Sequence, residues 1–529
     1  MGKIVKFLIL NLIVCNLGIV LAIGRQDVIG YTTYDWQMGG PMTTRCRTDS
    51  VCNGIHVSWV ASNFNPSTDR NQGYNYYNFT THQWHWPVGM NIYPQISGFG
   101  NLDYDPITGV AIASTHQSVS GGLTITCAKD QSPGAGTFVY CQGPLSYRNP
   151  VINVSHNQAI HCIMLDTTID TLWYARIQPW CNWTTPLNIS TDVPPYYLSY
   201  NIAASKISNK VVVVWRCLND PYPERAFYRI SNDGGINWDS PVQLPFPPAQ
   251  GITPCFDLSG LFAMFDYQDN LHIVTSVSDT GFTVPAAIWH FCPINNPQWS
   301  LVYHYAPQTL NAPVGYNAIF ATRPTIVQSP TTNHFYVTWE QFDSLNYEPS
   351  TYLTRADIWI AESPNNGQTW HNQQSITIPN TTSKRFPCAG GVFADTLVIS
   401  YLIDSIAGFA MITQGRATLN PVICHFIPLP YAGIEQDIGN WKLDIGNLST
   451  SPNPFTSQTT IHYSLPIAGK VSLHLYNASG RLVKILADEH KPAGNYFITL
   501  DSKNLSAGLY FCKLNLPNKS ITLKILKIL

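Results

Sequence analysis

The sequence predicts an all-β protein: a six- or seven-bladed β-propeller followed by a small C-terminal Ig-like β-sandwich. Short apolar runs with period-two alternation recur along the chain, and 38 prolines punctuate its 529 residues. Aromatic residues are frequent, at 12%, whereas charged residues make up only 11%. This composition suits many short strands joined by turns, and it disfavours helix bundles and coiled coils.

The body of the chain repeats a unit of roughly 45–60 residues, a period typical of propeller blades. The second strand of the unit reads Lys-Val-Val-Val-Val-Trp at 210–215 and Phe-Tyr-Val-Thr-Trp at 335–339. Comparable runs lie at 55–59, 109–113, 160–164, 271–275 and 397–401. Seven units then begin near residues 45, 93, 148, 196, 255, 319 and 385. The first and last units are the least regular, so six blades, or an array of two-sheet sandwiches, stay open as alternatives.

Residues 1–22 have the pattern of a secretory signal peptide. Lys3 and Lys6 precede an apolar stretch, and Val20-Leu-Ala22 places small or tolerated residues at the cleavage site. A membrane anchor is the alternative, but the apolar stretch is short for a bilayer span and is interrupted by Asn11 and Asn16.

The charge distribution argues against some partners. Residues 23–446 hold 18 basic and 28 acidic residues, whereas residues 447–529 hold 9 and 3. An acidic body excludes nucleic acid and anionic membranes as expected ligands, since both require a basic face.

Thirteen cysteines less Cys15 of the signal peptide leave twelve in an exported chain, where disulfides can form. Cys127 with Cys141, and Cys162 with Cys181, flank segments compatible with hairpins, and a Cys46–Cys52 bond would close a tight loop. The sequence does not determine the connectivity, and structural cysteines, free or bridged, are expected. The sequence contains no Cys-x-x-Cys and no paired Cys/His spacing, so no metal site is predicted. Asn232 and Asp233 supply too few oxygens to support a calcium site. No cofactor is therefore expected.

Two segments share a specific turn motif, S-x-D-x-G-x-x-W. The matching positions are Ser231, Asp233, Gly235 and Trp238, and then Ser363, Asn365, Gly367 and Trp370. The motif resembles the Asp-box, or bacterial neuraminidase repeat, of sialidase-like propellers. The side chain of Asp or Asn caps backbone N–H groups, Gly tolerates positive φ and Trp packs over the hairpin. The resemblance implies a structural role at the rim of a propeller.

The same resemblance directs attention to arginines. Sialidases clamp a substrate carboxylate with three arginines and use a Tyr–Glu pair and an Asp for chemistry. The early Arg-Ile-Pro signature of that family is missing here. Arg148, Arg323 and Arg385 lie at the starts of blades, and Glu340 is the one nearby carboxylate we nominate as an acid or base. We therefore expect a non-catalytic binding or adhesion module for glycan or protein, with a sialidase-like glycoside hydrolase as the alternative.

The end of the chain differs from the body. A linker at 431–448 separates the propeller, 23–430, from a basic segment, 449–529, of regular alternating strands joined by Gly and Asn turns. The strand and turn blocks include residues 459–465, 470–476, 481–486, 492–496 and 505–510. This segment resembles the C-terminal sorting domain of the type IX secretion system, with a generic Ig-like module as the alternative. The resemblance implies export to the outer cell surface or the medium, with the secretion machinery as partner.

Overall fold

A computed structural model describes residues 24–38, 41–63, 66–168, 171–190, 199–217, 225–248, 254–279, 283–430, 448–465, 469–491, 494–503, 505–516 and 519–528. The predicted signal peptide and the linker up to residue 447 lie outside these residues. The chain divides into two compact units, residues 1–432 and 433–529. The prediction of an all-β protein is confirmed, because helical structure among the described residues is limited to Pro66–Asp69 and the 3-10 turn Ala410–Ile412.

The described residues of the first unit form seven antiparallel sheets, which are numbered along the chain with their strands in hydrogen-bonded order. Sheet 1 contains Cys46–Asp49, Gly54–Ala61, Asn71–Asn78 and Gln83–Trp84, with Met90–Asn91 also pairing with its third strand. Sheet 2 contains Asn101–Tyr104, Ala111–Val119, Gly122–Asp130 and Phe138–Leu145. Sheet 3 contains Tyr147–Val154, Ile160–Asp166, Leu172–Ile177 and Leu187–Asn188. Sheet 4 contains Tyr200–Ala204, Val211–Cys217, Arg225–Ser231 and Val242–Gln243.

The remaining sheets follow the same plan. Sheet 5 contains Pro254–Phe265, Leu271–Asp279, Ala286–Phe291 and Trp299–Tyr305. Sheet 6 contains Ala321–Gln328, Phe335–Glu348, Leu353–Ser363 and His371–Ser375. Sheet 7 contains Ser383–Phe393, Thr396–Asp404 and Asn420–Pro428, and its fourth strand is Arg25–Thr32 from the start of the chain. Strand pairing of Arg25 with Phe426 thus joins the two ends of the unit.

The first strands of the seven sheets contact one another in sequence. Each first strand touches that of the next sheet, and the first strand of sheet 7 touches that of sheet 1. Seven separate apolar clusters occupy the seven interfaces between neighbouring sheets. The second strands are buried on both faces, as in Val211–Cys217, which explains their continuous apolar runs. Radially repeated four-stranded sheets of this kind are typical of a β-propeller.

The residues that connect Arg25–Thr32 to Cys46–Asp49, which we call the central segment (33–38 and 41–45), lie across the centre of this ring. The N–H of Met42 donates to the carbonyl of Tyr200 in sheet 4 at 3.2 Å. The N–H of Leu102 in sheet 2 donates to Thr44 O at 2.8 Å. Met42 also packs with Phe320 beside sheet 6. The central segment therefore fills space that the first strands enclose.

One disulfide among the described residues links neighbouring sheets, and its pairing differs from the three that the spacing suggested. Cys141 of sheet 2 bonds to Cys181, which follows the third strand of sheet 3. Cys127, the cross-strand partner of Cys141, is a free thiol, and so is Cys162. The Cα atoms of Cys141 and Cys181 lie 5.2 Å apart, within the range that a disulfide requires. Cys46 and Cys52 are also free.

The second unit has two antiparallel sheets around one core. One contains Leu448–Ser451, Gln458–Leu465 and Gly494–Asp501. The other contains Leu482–Lys491, Gly469–Asn477, Gly508–Leu516 and Lys519–Lys527. Ile461 and Leu500 from the first sheet pack with Leu473 and Leu514 from the second. A search of the described residues for a helix long and apolar enough to cross a membrane found none.

Candidate functional site

Two of the three nominated arginines meet at the nominated carboxylate. Arg323 Nη1 lies 2.9 Å from Glu340 Oε2, and Arg385 Nε lies 3.2 Å from the same oxygen. The backbone N–H of Phe386 donates to the other oxygen, Glu340 Oε1. The side chains of Arg323, Arg385 and Glu340 are 1%, 2% and 0% exposed. This group, which we call the arginine cluster, is closed off from solvent.

Local sequence explains how the arginines reach this position. Each nominated arginine lies one or two residues before a proline, at the start of a first strand. Proline cannot donate to the strand ladder, and the pairing register shifts at all three places, between Arg148 and Val151, Thr322 and Thr325, and Arg385 and Cys388. The residue before each proline adopts positive φ: Asn149 at 50°, Arg323 at 54° and Phe386 at 58°. Arg148 and Arg385 therefore occupy equivalent positions, whereas Arg323 lies one residue later.

Arg45 belongs to the arginine cluster although the sequence analysis did not nominate it. Its Nη2 donates to Phe386 O at 2.6 Å, and its guanidinium lies 5.7 Å from the centre of the Phe386 ring. Burial lowers the pKa of Arg45, partly offset by Cys388 and Glu340. The position of Arg45 in the sequence could have indicated its role. Arg45 directly precedes the first strand of sheet 1, and the three other arginines lie near the starts of the first strands of their sheets.

Charge balance governs the protonation of the cluster. Burial alone would raise the pKa of Glu340, but Arg385, Arg323 and the Phe386 N–H outweigh that effect and lower it. Glu340 is therefore an anion that the two arginines hold. As a general acid it would need a raised pKa, which this arrangement does not provide.

Arg148 lies in a different environment, beside His116. Burial, together with the charges of Arg70 and Arg148, lowers the pKa of His116 to about 4. The N–H of Asn149 donates to His116 Nδ1 at 3.2 Å. His116 is therefore neutral at neutral pH, with Nδ1 as an acceptor and the ring proton on Nε2.

The two motif turns make the same hydrogen bonds. The N–H of Gly235 donates to Ser231 Oγ at 2.8 Å, and that of Gly367 donates to Ser363 Oγ at 2.9 Å. Asp233 Oδ1 accepts from the N–H of Asn237 at 2.8 Å, and Asn365 Oδ1 accepts from that of Thr369 at 3.0 Å.

Each of these turns also packs on the preceding sheet. Trp238 packs on Tyr174 of sheet 3, and Trp370 packs on His290 of sheet 5. Asp130 of sheet 2 makes a related turn by accepting from the N–H groups of Gly136 and Thr137, although its spacing differs from that of the sequence motif.

An exposed apolar surface is formed by the loop after sheet 5, the hairpin between the second and third strands of sheet 6, and the loop between the second and third strands of sheet 7. We call this the tyrosine surface; its members, 36–67% exposed, are Leu310, Tyr316, Leu345, Tyr347, Tyr352 and Met411. Hydrogen bonds join the loops to one another. Thr354 N donates to Pro313 O at 2.9 Å, Thr351 Oγ1 donates to Ala407 O at 2.7 Å, and Tyr316 N donates to Gln414 Oε1 at 3.3 Å.

The tyrosine surface rests on the central segment. The ring of Trp36 lies 5.8 Å from that of Tyr316, edge to face, and stacks on Phe409 at 5.6 Å. Tyr347 and Tyr352 contact each other edge to face at 5.2 Å. The Tyr316 ring thus packs on Trp36, and the rings of Tyr347 and Tyr352 pack on each other.

The C-terminal unit can be assigned from its sequence. Residues 450–528 match the family model described as the secretion system C-terminal sorting domain. The tail is a secretion sorting domain. This confirms the predicted type IX sorting domain, and the protein is therefore exported to the outer cell surface or secreted. The presence of a sorting domain also implies interaction with the secretion machinery.

The body resembles solved structures at low identity. An ulvan lyase from a new polysaccharide lyase family is 11% identical, with a TM-score of 0.50 over 76% of this chain and 96% of that chain. A Hadza microbial sialidase is 13% identical, with a TM-score of 0.36 over 69% of this chain and 75% of that chain. No curated protein matches the sequence. The similarity to the ulvan lyase shows a shared fold of the body and does not extend to activity.

Proposed function

We propose that this protein is an exported surface protein whose body, a seven-bladed propeller with Asp-box turns, binds glycans without catalysis. In this proposal residues 1–22 direct export, residues 23–430 form the propeller, and residues 449–529 are an Ig-like sorting domain that engages the type IX machinery. The glycan is bound at the tyrosine surface.

The observation that carries the proposal is the rigid exposure of aromatic rings on interlocked loops. Exposed apolar patches on a soluble protein are typical of interaction sites. Tyrosine offers a flat apolar face for a sugar ring together with a polar hydroxyl group. Because Trp36 and the hydrogen bonds between the loops hold Tyr316, binding requires little ordering of the surface.

The arginine cluster supports a binding role over a sialidase-type hydrolase. Arg323 Nη1 and Arg385 Nε donate to Glu340, so these two N–H groups are not available to a substrate carboxylate. All three side chains are at most 2% exposed. A substrate carboxylate would have to displace Glu340 before it could form bidentate hydrogen bonds with these arginines.

A glycan pool containing sialylated, uronate-bearing and neutral chains tests the proposal. The full chain is incubated with the pool, and mass spectrometry scores both retained and shortened species. We expect retention without shortening, and Tyr316→Ala should weaken binding at least about tenfold, which corresponds to roughly 1.4 kcal/mol. Tyr31→Ala, an exposed tyrosine on the fourth strand of sheet 7, is the matched control and should bind normally. Equal retention by Tyr316→Ala and wild type would refute the assignment of the surface.

A second candidate function is β-elimination on an acidic polysaccharide at His116. The imidazole is neutral and can therefore accept a proton, and in this candidate Arg70 and Arg148 would neutralise the carboxylate of an acidic sugar beside it. The fold of the body also occurs in a polysaccharide lyase. Ultraviolet absorbance of an unsaturated uronate product in the same pool would favour this candidate, provided that His116→Ala abolishes it.

A further inference from the structure

The arginine cluster contains hydrogen-bond donors that no described residue accepts. Arg45 Nε, Arg323 Nε and Arg385 Nη2 are buried, and the described residues offer each of them no acceptor. Their residues are 5%, 1% and 2% exposed. A charged donor left without a partner in the interior is strongly unfavourable, so these three N–H groups indicate that something else accepts from them.

The three donors lie close together. The guanidinium carbons of Arg45, Arg323 and Arg385 are 5.7, 4.9 and 5.1 Å from the centre of one ring, that of Phe386. Arg385 also lies 5.0 Å from the rings of Phe342 and Phe409. The three guanidinium groups are therefore neighbours around one aromatic ring, and all three side chains are buried.

Positive charge predominates at this place. Glu340 pairs with both Arg323 and Arg385, whereas Arg45 forms no ion pair with a described carboxylate. Asp257 also acts on Arg323, but its carboxylate accepts from Thr322 Oγ1 at 2.6 Å. One hydrogen-bonded carboxylate thus serves three guanidinium groups.

We propose that the arginine cluster binds one monovalent inorganic anion of chloride size. The anion accepts the N–H groups of Arg45, Arg323 and Arg385 and neutralises the remaining charge. It ties the central segment to the first strands of sheets 6 and 7, because Arg45 belongs to the former and the other two arginines to the latter. The ligand is structural and does not depend on the proposed glycan binding.

Thermal unfolding of the full chain tests the proposal. Melting curves are recorded in sodium chloride and in sodium gluconate at equal ionic strength, since gluconate is too large to enter the cluster. A ligand that binds only the folded state raises Tm with its concentration, and we expect chloride to raise Tm by at least about 2 °C relative to gluconate. Identical curves in the two salts would overturn the proposal.

Paired variants separate binding from general salt effects. Arg45→Gln should remove the difference between chloride and gluconate. Arg47→Gln is the control, because Arg47 lies two residues away and pairs with Asp103 at 3.2 Å; it should lower Tm and retain the chloride difference. Loss of the difference in both variants would show an unspecific salt effect and contradict the site.

A measurement on the unmodified chain decides the matter if Arg45→Gln does not fold. Crystals grown in bromide are examined by anomalous scattering. We expect a bromide peak within hydrogen-bond distance of Arg45 Nε, Arg323 Nε and Arg385 Nη2. A water molecule at that position, with no anomalous signal, would refute the anion site.

Discussion

Arg385 and Glu340 are 45 residues apart in the sequence, yet Arg385 Nε lies 3.2 Å from Glu340 Oε2. The contact joins the first strand of sheet 7 to the second strand of sheet 6. Because Arg323 donates to the same oxygen, one carboxylate fixes two arginines in the interior. The two arginines, which the sequence suggested as a clamp for a substrate carboxylate, thus bind an internal carboxylate and hold neighbouring sheets together.

Glu340→Gln is expected to destabilise the body strongly. The substitution keeps the shape of the side chain but leaves Arg323 and Arg385 without their counterion in the interior. Removing one partner of a buried ion pair lowers the free energy of unfolding by about 3–5 kcal/mol. The measurement is urea unfolding followed by tryptophan fluorescence. Lys210→Gln, which breaks a partly exposed pair with Asp269 in the same unit, should change stability by less than about 1 kcal/mol. Equal effects of the two variants would contradict the structural role of Glu340.

Two adjacent glycines in the Ser231 turn provide a test of packing at the propeller rim. A Cβ at Gly235 would lie 1.8 Å from the hydroxyl of Tyr174, whereas the nearest atom to one at Gly234 is Arg176 Nη1, 3.7 Å away. Both glycines have positive φ, 80° and 74°, so backbone strain is shared. We expect Gly234→Ala to cost about 1 kcal/mol and Gly235→Ala about 2–4 kcal/mol, since Tyr174 is also held by His161 at 2.7 Å. Calorimetric melting of both variants measures the difference, and equal losses would show that strain alone matters.

The turn residues Asp233 and Asn365 illustrate what the sequence reveals well. Their role depends on neighbours within a few positions, so the motif predicts the hydrogen bonds that the structure contains. The strands are also predicted from local sequence, because the burial of alternate side chains produces alternating apolar and polar residues within each strand. Neither the turns nor the strands require knowledge of which strands become neighbours.

The arginine cluster illustrates what could not be predicted. Arg323, Arg385 and Glu340 were nominated by position along the strands, but their mutual contacts depend on the bulges before Pro324 and Pro387 and on how sheets 6 and 7 pack. Arg45 joins them from a segment that crosses the centre of the ring, and no local pattern marks such a crossing. The disulfide connectivity could not be predicted for the same reason, since Cys141 pairs across sheets with Cys181.

The Cys141–Cys181 disulfide should stabilise the contact between sheets 2 and 3. It closes a loop with a sequence separation of 40 residues, for which chain-entropy arguments give about 3–4 kcal/mol. Dithiothreitol should therefore lower the urea midpoint of the wild-type chain. The double variant Cys141→Ser/Cys181→Ser should have the lower midpoint with or without the reductant. A wild-type midpoint that is insensitive to complete reduction, verified by mass spectrometry, would refute a stabilising role.

The raised pKa of Asp404 predicts that the free energy of unfolding of the body depends on pH. Burial raises its pKa to about 7, and the nearby Asp35 acts in the same direction. A carboxyl whose pKa is raised in the folded state stabilises the fold fully below its ordinary pKa, and this contribution is lost as the pH rises towards the folded value. Asparagine does not titrate, so the stability of Asp404→Asn relative to wild type should increase between pH 4 and 7 and then level off. The shift corresponds to a gain on the order of 4 kcal/mol.

Asp233 supplies the control of opposite sign for this experiment. Hydrogen bonds from the Asn237 N–H and side chain lower its pKa to about 2. Wild type should therefore lose stability relative to Asp233→Asn only as the pH falls from about 4 towards 2. Urea unfolding of the wild type and both variants across pH 3–8 distinguishes the two groups. A difference between Asp404→Asn and wild type that stays constant from pH 4 to 7 would mean that Asp404 is ionised in the fold, and that Arg385 outweighs its burial.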